Sequence, residues 1–401
     1  MERLVDIIIV RTNSVTHESR LIRVIKSLSK RYRLTVLGWN REGIPEDVRK
    51  KIIKKTFSFD DDNSDNPNTN NNLKFNIFKL RAPHGKPTLI CYLPLLFYFP
   101  LFWAWVFIGL IIHRPRVVHA CDLDTVVPCY IYKKIFRKKM VFEIVDRYAM
   151  TQLYPLIPKK FRLLFLFLNW LEEVFSKRAD LLMTLSENVL ASFHAKPRNS
   201  VTILNCPEDY INNRTNSERK KTNGNNDLRI MYGGQIMAGR GLEHIALAVK
   251  DIDNVIMCVY GKIVDEGLLK SITAVQNVIY RGFLQQYDDY HNALLDADVI
   301  VAIYTEGTPS HMLTMHNKVL EAMMSGVPII TNFSSDFVNE IGFGIIVEYG
   351  NIEQIRSAII TLRDNPELRK RLGDNGRKAF VEKYNWGIME QKLYEVYEDL
   401  R

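Results

Sequence analysis

The 401-residue chain is poor in cysteine, with five in all: Cys91, Cys121, Cys129, Cys206 and Cys258. Their number is odd, their spacing wide, and no CxxC occurs, so neither a disulfide framework nor a zinc site is supported and a reducing compartment fits. A cleavable leader is not expected either, because the start, MERLVDIIIVRTN, holds an apolar run of only five residues. Asp60 to Asn72, DDDNSDNPNTNNN, lacks apolar residues altogether and has the composition of an exposed excursion. Its aspartates are expected to hold no metal, since such a tract has no preformed geometry. Thr88 to Ile112, TLICYLPLLFYFPLFWAWVFIGLII, lacks charge altogether and is long enough to cross a bilayer.

At 47% hydrophobic content the chain can bury two cores of ordinary domain size. A formal net charge of +9 would draw nucleic acid, anionic lipid or phosphorylated substrates, and the uncharged stretch favours lipid over nucleic acid. Strand-like runs lie on both sides of that stretch: Asp6 to Val10 and Leu34 to Gly38 before it, Val117 to His119 after it. A membrane crossing there would part strands that must share one sheet, and Pro94 and Pro100 interrupt helical hydrogen bonding. The expectation is a helix or hairpin docked on the sheet with one face dipping into the membrane. Arg162 to Phe175, RLLFLFLNWLEEVF, is a second apolar helix, flanked by Lys159, Lys160, Lys177 and Arg178. Such flanks suit an anionic membrane surface, and core packing is an equal alternative.

Asp6 to Val10, the helical spacing from Ser19 to Ser29, and Leu34 to Gly38 make a β-α-β unit and hence a parallel sheet. Ligands of such sheets sit beyond the carboxyl ends of the strands, which places Arg11 to Glu18 there. His17, Arg20 and Arg23 are candidates for an acceptor phosphate, against the plainer reading of solvated surface. Asp146 and Arg147, at the end of the strand Val141 to Val145, occupy the same edge. Pro207 to Leu228 is polar, rich in Asn and Lys, and reads as the connection between two β/α patterns. Beyond it, Arg229 to Tyr232 runs into Gly233-Gly234, where a backbone without side chains can approach a ligand closely.

The stretch His316 to Asn332, HNKVLEAMMSGVPIITN, reads as loop, short helix, turn and strand, with Gly326 and Pro328 as the stop. Asn317 and Lys318 mark a helix start whose unpaired N–H groups suit phosphate, and Glu321, one turn on, can accept hydrogen bonds from a ribose diol. The pattern N-K-V-L-E-A-M-x-x-G-V-P resembles the nucleotide-sugar-binding helix of family 4 glycosyltransferases. Tyr232 to Glu243, YGGQIMAGRGLE, resembles the phosphate loop of that family, and Asn277 to Val301 the segment preceding its donor site.

The resemblance implies an α/β protein of the GT-B fold, two Rossmann-like domains facing an inter-domain cleft. It places the acceptor domain at 1–206, a linker at 207–228, the donor domain at 229–385, and a helix at 386–401 returning to the first domain. Gly233, Gly234, Gln235, Arg240, Asn317, Lys318 and Glu321 would bind the donor, a UDP-sugar or GDP-sugar, with no separate cofactor and no required metal. The family usually has Arg and Lys where this chain has Gln235 and Arg240, so the diphosphate would rest on Arg240, Lys318 and the helix start. The first Glu of the family's E-x7-E pattern is replaced by Leu313, with Glu306 nearby as a possible substitute or a solvated acid. Val117 to Val127, VVHACDLDTVV, resembles the family's H-x-H-D segment with Cys121 for the second His; His119 and Asp122 are then catalytic candidates with Arg240. The plainer reading of His119 is a strand histidine bonded to backbone. The activity implied is retaining transfer of a sugar to a hydroxyl, and the apolar stretches of the first domain point to a lipid-linked glycan as acceptor at the cytoplasmic membrane face. A nucleotide-sugar epimerase or hydrolase, or a non-catalytic scaffold of the same fold, are the alternatives.

Overall fold

The computed structural model describes residues 6–16, 18–41, 43–57, 72–81, 95–145, 147, 162–194, 197–211, 227–284, 287–305 and 315–400. The acidic tract 60–71, and His17, Asp146, Lys159, Lys160, Glu306 and Leu313 among the residues singled out above, lie outside that set. The chain divides into two compact units, residues 1–204 with 390–401, and residues 205–389.

The first unit is built on a seven-stranded sheet of β1 (Asp6–Val10), β2 (Arg33–Trp39), β3 (Leu73–Phe78), β4 (Val117–Cys121), β5 (Lys139–Ile144), β6 (Leu181–Thr184) and β7 (Ser200–Thr202). Its order is β3-β2-β1-β4-β5-β6-β7 and every pairing is parallel. The central strands are short, continuous apolar runs because helices cover both of their faces. The order reverses direction between β1 and β4, so the loops after these strands diverge and leave space at the carboxyl edge.

The uncharged stretch supplies the helix Leu95–His113. Phe102, Val106 and Leu110, one turn apart, are fully buried, while Phe97, Leu101, Ile108 and Ile112 are 79%, 55%, 56% and 68% exposed. One apolar face therefore docks, with Gly109 close against Leu37, and the other lies open. The helix Arg162–Arg178 behaves alike: Phe175 is buried, and Leu163, Phe167 and Trp170 are more than half exposed. No helix among the described residues is long and apolar enough to cross a membrane.

The second unit repeats the plan with β8 (Leu228–Gly233), β9 (Val255–Tyr260), β10 (Val278–Gly282), β11 (Val299–Ala302), β12 (Ile329–Thr331) and β13 (Gly344–Ile346), in the order β10-β9-β8-β11-β12-β13, all parallel. Here the reversal falls between β8 and β11, so the loops after Gly233 and Ala302 are where this unit can hold a ligand. The last helix, Trp386–Glu398, begins in this unit, with the Trp386 N–H on the Pro207 carbonyl, and its residues from Glu390 onward belong to the first.

Candidate functional site

The site of the second unit starts from glycine. At the end of β8 a Cβ on Gly233 would lie 2.6 Å from the Tyr290 hydroxyl, and one on Gly261, after β9, would lie 1.6 Å from the Gly234 carbonyl oxygen. The two backbones touch, which only glycine allows, and the Gly234 N–H is tied to the Tyr260 carbonyl at 2.9 Å. The chain then runs past the exposed Gln235 to Gly241, in the left-handed region at φ 64°, which starts the helix Leu242–Val249.

Facing this loop is the helix Asn317–Ser325, whose first turn carries no acidic residue and no side-chain cap and whose end is set by Gly326 at φ 65°. The Lys318 ammonium lies over the loop, 2.8 Å from where a Gly234 Cβ would be. It donates to the Tyr304 hydroxyl at 3.2 Å and stands 5.2 Å from the centre of the Tyr232 ring. Burial pulls its pKa down, but the oxygens of Tyr304, Tyr232 and Glu321 outweigh that and hold it above the ordinary lysine value, so Lys318 is a cation at any physiological pH. The Arg240 guanidinium, half-buried, stands 5.1 Å from the centre of the same Tyr304 ring. Glu321, one turn beyond Lys318, accepts a hydrogen bond from the Tyr290 hydroxyl at 2.7 Å. Asn317 is exposed and accepts from the Asn205 amide at 2.9 Å.

The structure thus gathers Gly233, Gly234, Arg240, Lys318 and Glu321 around three tyrosines that sequence reasoning missed: Tyr232, Tyr290 and Tyr304. Tyr232 donates to the Gln235 carbonyl at 2.8 Å and so shapes the loop. Their only sequence signal was position, Tyr232 and Tyr304 at strand ends beside the glycines and ahead of the helix and Tyr290 within the helix Tyr287–Leu295, and an aromatic in either place reads first as core. Chemically, two cations, close-approaching backbone and an uncapped helix start can hold a diphosphate, and a carboxylate one turn away can hold vicinal hydroxyls.

The candidates of the first unit behave differently. His119 is fully buried; its Nε2 is 2.9 Å from Glu143 Oε2 and its Nδ1 2.6 Å from the Tyr397 hydroxyl. Both ring nitrogens are engaged by side chains, so the expected backbone partner is corrected as well as the substrate contact: His119 holds the core of its unit together. Cys121 joins it, with Sγ 3.6 Å from Glu143, and burial raises its thiol pKa well above the usual range. The ligand-type atoms of His119, Cys121 and Glu143 lie within 4.8 Å of one another, but Arg20 already answers the Glu143 charge at 2.6 Å. Burial would raise the Glu143 pKa, yet Arg20 and His119 keep it well below the carboxylate range. Arg20 and Arg23, read as surface or as phosphate ligands, are 3% and 7% exposed. Arg147, placed at the sheet edge by sequence, is fully buried and paired with Glu172 at 3.0 Å.

Asp122 lies at the carboxyl end of β4 with φ 64°, a conformation a non-glycine residue holds at a cost of about 1–3 kcal/mol. Three bonds hold it: its N–H to the Glu143 carbonyl at 2.8 Å, its Oδ1 accepting from the Val145 N–H at 3.0 Å, and an ion pair with Arg11. Arg11 is itself forked onto Glu18 at 2.9 and 3.0 Å. Asp122 is therefore at the ligand edge but locked, a shaper of the edge more than a free acid.

Residues 213–379 match the family model of glycosyl transferases group 1. The chain is 29% identical over 124 residues to a GDP-mannose-dependent monoacylated alpha-(1-6)-phosphatidylinositol monomannoside mannosyltransferase of Corynebacterium glutamicum, covering 30% of this chain and 32% of that one. It is 24% identical over 234 residues to a capsular polysaccharide biosynthesis glycosyltransferase of Staphylococcus aureus, covering 53% and 59%. The aligned stretches thus span about a third and about three fifths of these two relatives. Among solved structures, HepE of Anabaena in complex with UDP superimposes with a TM-score of 0.70 over 98% of this chain and 100% of that one, at 14% identity, a likeness of fold. The matched segment makes the second unit similar to the glycosyl transferases of group 1, and the architecture of the whole chain is the GT-B fold.

Proposed function

We propose that the protein transfers a sugar from a UDP- or GDP-sugar to a hydroxyl of a lipid-linked glycan at the cytoplasmic face of the membrane, with retention at the anomeric carbon. The observation that carries the donor half is the Lys318 ammonium set over Gly234, with Arg240 beside the same tyrosine and Glu321 one turn on. The diphosphate would lie against Lys318, Arg240 and the start of the helix Asn317–Ser325, and the ribose hydroxyls against Glu321. No second carboxylate is required, because the departing diphosphate can take the acceptor proton on the face it leaves while the fixed cations stabilise its charge. Relatives support the choice of donor and acceptor class: the Corynebacterium protein is named for GDP-mannose and a phosphatidylinositol mannoside, and HepE is solved with UDP.

The lipid half rests on the open apolar faces of the helices Leu95–His113 and Arg162–Arg178 and on the cations at their ends, Arg114, Lys177 and Arg178. Apolar area beside cations suits an anionic bilayer surface. Calorimetry with UDP, GDP and ADP, followed by a screen of nucleotide-sugars for acceptor-dependent release, tests the donor half. Failure to bind any nucleoside diphosphate would overturn it, as would sugar isomerisation without an acceptor. Flotation with vesicles of phosphatidylcholine and phosphatidylglycerol tests the lipid half, and a Phe97→Asp/Trp170→Asp chain that floats as well as the parent would defeat it.

A further inference from the structure

Two charged groups at the carboxyl edge of the first sheet are left incomplete where their neighbours are complete. Arg41 sits in the turn after β2. That turn is built rigidly: the Asn40 amide donates to the Ile44 carbonyl at 2.8 Å and accepts from the Ile44 N–H at 3.0 Å, while the Asn40 N–H reaches the Phe78 carbonyl at 3.0 Å. The guanidinium is half-buried, 5.5 Å from the centre of the Trp39 ring, and its Nε is buried with no hydrogen-bond partner among the described residues. Asp124 stands just after β4. Its Oδ2 accepts from the Thr12 hydroxyl at 2.5 Å and its backbone carbonyl from the Trp103 indole at 2.7 Å, but its Oδ1 is buried and unpartnered. The two groups are near enough that the charge of Arg41 acts on the Asp124 carboxyl.

A buried donor and a buried acceptor without partners mark where a polar ligand belongs, because water or ligand must otherwise replace the lost hydration. Arg11, after β1 at the same edge, offers the contrast: Glu18 and Asp122 take up its guanidinium. Trp39, which lies between Arg41 and the docked apolar helix, stacks on Phe102 of that helix at 4.9 Å, and the Arg81 side chain passes Gly43 in the same turn. A phosphate carried by a lipid lying along that helix would meet a guanidinium fork at its end.

We propose that Arg41 and Asp124 read the acceptor: the guanidinium binds the phosphate of a lipid-linked acceptor and Asp124 Oδ1 takes a hydrogen bond from a sugar hydroxyl beside it. The inference rests on the lipid-linked reading above. Its test uses the full chain and vesicles of phosphatidylcholine alone, or with geranylgeranyl diphosphate, geranylgeraniol or phosphatidylglycerol. The parent should bind the diphosphate vesicles at least tenfold more tightly than the alcohol vesicles, and Arg41→Gln should bring the two within twofold while UDP or GDP affinity stays unchanged. Arg41→Lys, which keeps the charge without the fork, should retain part of the preference and serves if the glutamine variant does not fold. In an enzymatic assay with the transferable acceptor, Asp124→Asn should raise the acceptor KM and leave that of the donor. A preference that survives in both Arg41 variants overturns the inference and leaves the lipid-linked reading standing. An Arg41-dependent preference for phosphatidylglycerol equal to that for the diphosphate overturns it in favour of bulk surface charge. A parent that ignores every vesicle defeats the lipid-linked reading and the inference with it.

Discussion

The charged groups around Glu143 and Arg11 in the first unit are paired with one another, whereas those around Gly234 in the second are set against tyrosines. Around Glu143, Arg20, His119 and Cys121 all converge on one buried carboxylate, and Arg11 is shared by Asp122 and Glu18. Around Gly234, Lys318 and Arg240 share Tyr304, and Glu321 receives the hydroxyl of Tyr290. A tyrosine can position a cation without neutralising it, so the second arrangement keeps its charge for a ligand, while the first uses charge to fix a core. Both arrangements flank a reversal of strand order, so position at the carboxyl edge alone does not separate structure from function. The partners do.

Removing the carboxylate of the paired hub should have the largest effect. Glu143→Ala leaves Arg20 buried without its partner and is expected to lower folding stability by about 3–5 kcal/mol, read as a fall in the urea midpoint. The Glu143 pKa is below its unfolded value of about 4.3, so its contribution is complete above that pH and is lost as pH falls below it. A loss under 1 kcal/mol at neutral pH would erase the contrast between the two regions. Next comes the loop itself. Gly261→Ala puts a methyl within 1.6 Å of the Gly234 oxygen, backbone against backbone, and should cost about 2–4 kcal/mol of stability together with most nucleotide affinity. Calorimetry showing parent-like affinity would mean the loop is not where the diphosphate rests. Lys318→Ala should weaken nucleoside diphosphate binding by ~1.5–3 kcal/mol, and Arg240→Ala or Glu321→Ala by ~1–3, the size of a lost charge-assisted hydrogen bond, with melting nearly unchanged. A variant that instead melts early while binding normally would place these residues with the structural set.

Much of this was legible in the sequence, for identifiable reasons. Strands buried on both faces, such as Ile7–Val10 and Val299–Ala302, are unbroken apolar runs, and the helix Asn317–Ser325 carried its own stop at Gly326. The edge strand β3 was passed over, because a half-exposed LKFNIF beside an acidic tract gives neither a continuous run nor a clean alternation. Arg20 and Arg23 were misread for a different reason. A basic residue in a first helical turn looks solvated unless its buried partner is known, and Glu143 lies 123 residues away. Cys121 read as a departure from a histidine pattern, yet in the fold it is one more ligand of the carboxylate hub. The tyrosines were invisible for the same reason as Glu143: their meaning lies in what they touch across the sheet edge.

Asp124 tests the comparison most finely, because among the described residues of the first unit it is the acid with a buried, unpartnered oxygen. Burial and the neighbouring Asp122 push its pKa up to about 6, against the pull of Arg11, Thr12 and Arg41. The folded state therefore keeps a proton that the unfolded chain, titrating near 3.9, has already released, so between about pH 4 and pH 6 this group makes stability fall as pH rises. Above that window the ionised carboxylate burdens the fold. Asp124→Asn keeps the shape and removes the charge, and since the side chain is partly screened by solvent the gain at pH 7.5 should be about 1–2 kcal/mol, shrinking toward zero at pH 4. Urea melts of parent and variant at both pH values read the difference directly. A gain at pH 7.5 joined to a raised acceptor KM would mark Asp124 as a group held for a ligand at the expense of the fold. Equal stabilities at both pH values would return it to the paired set, alongside Asp122.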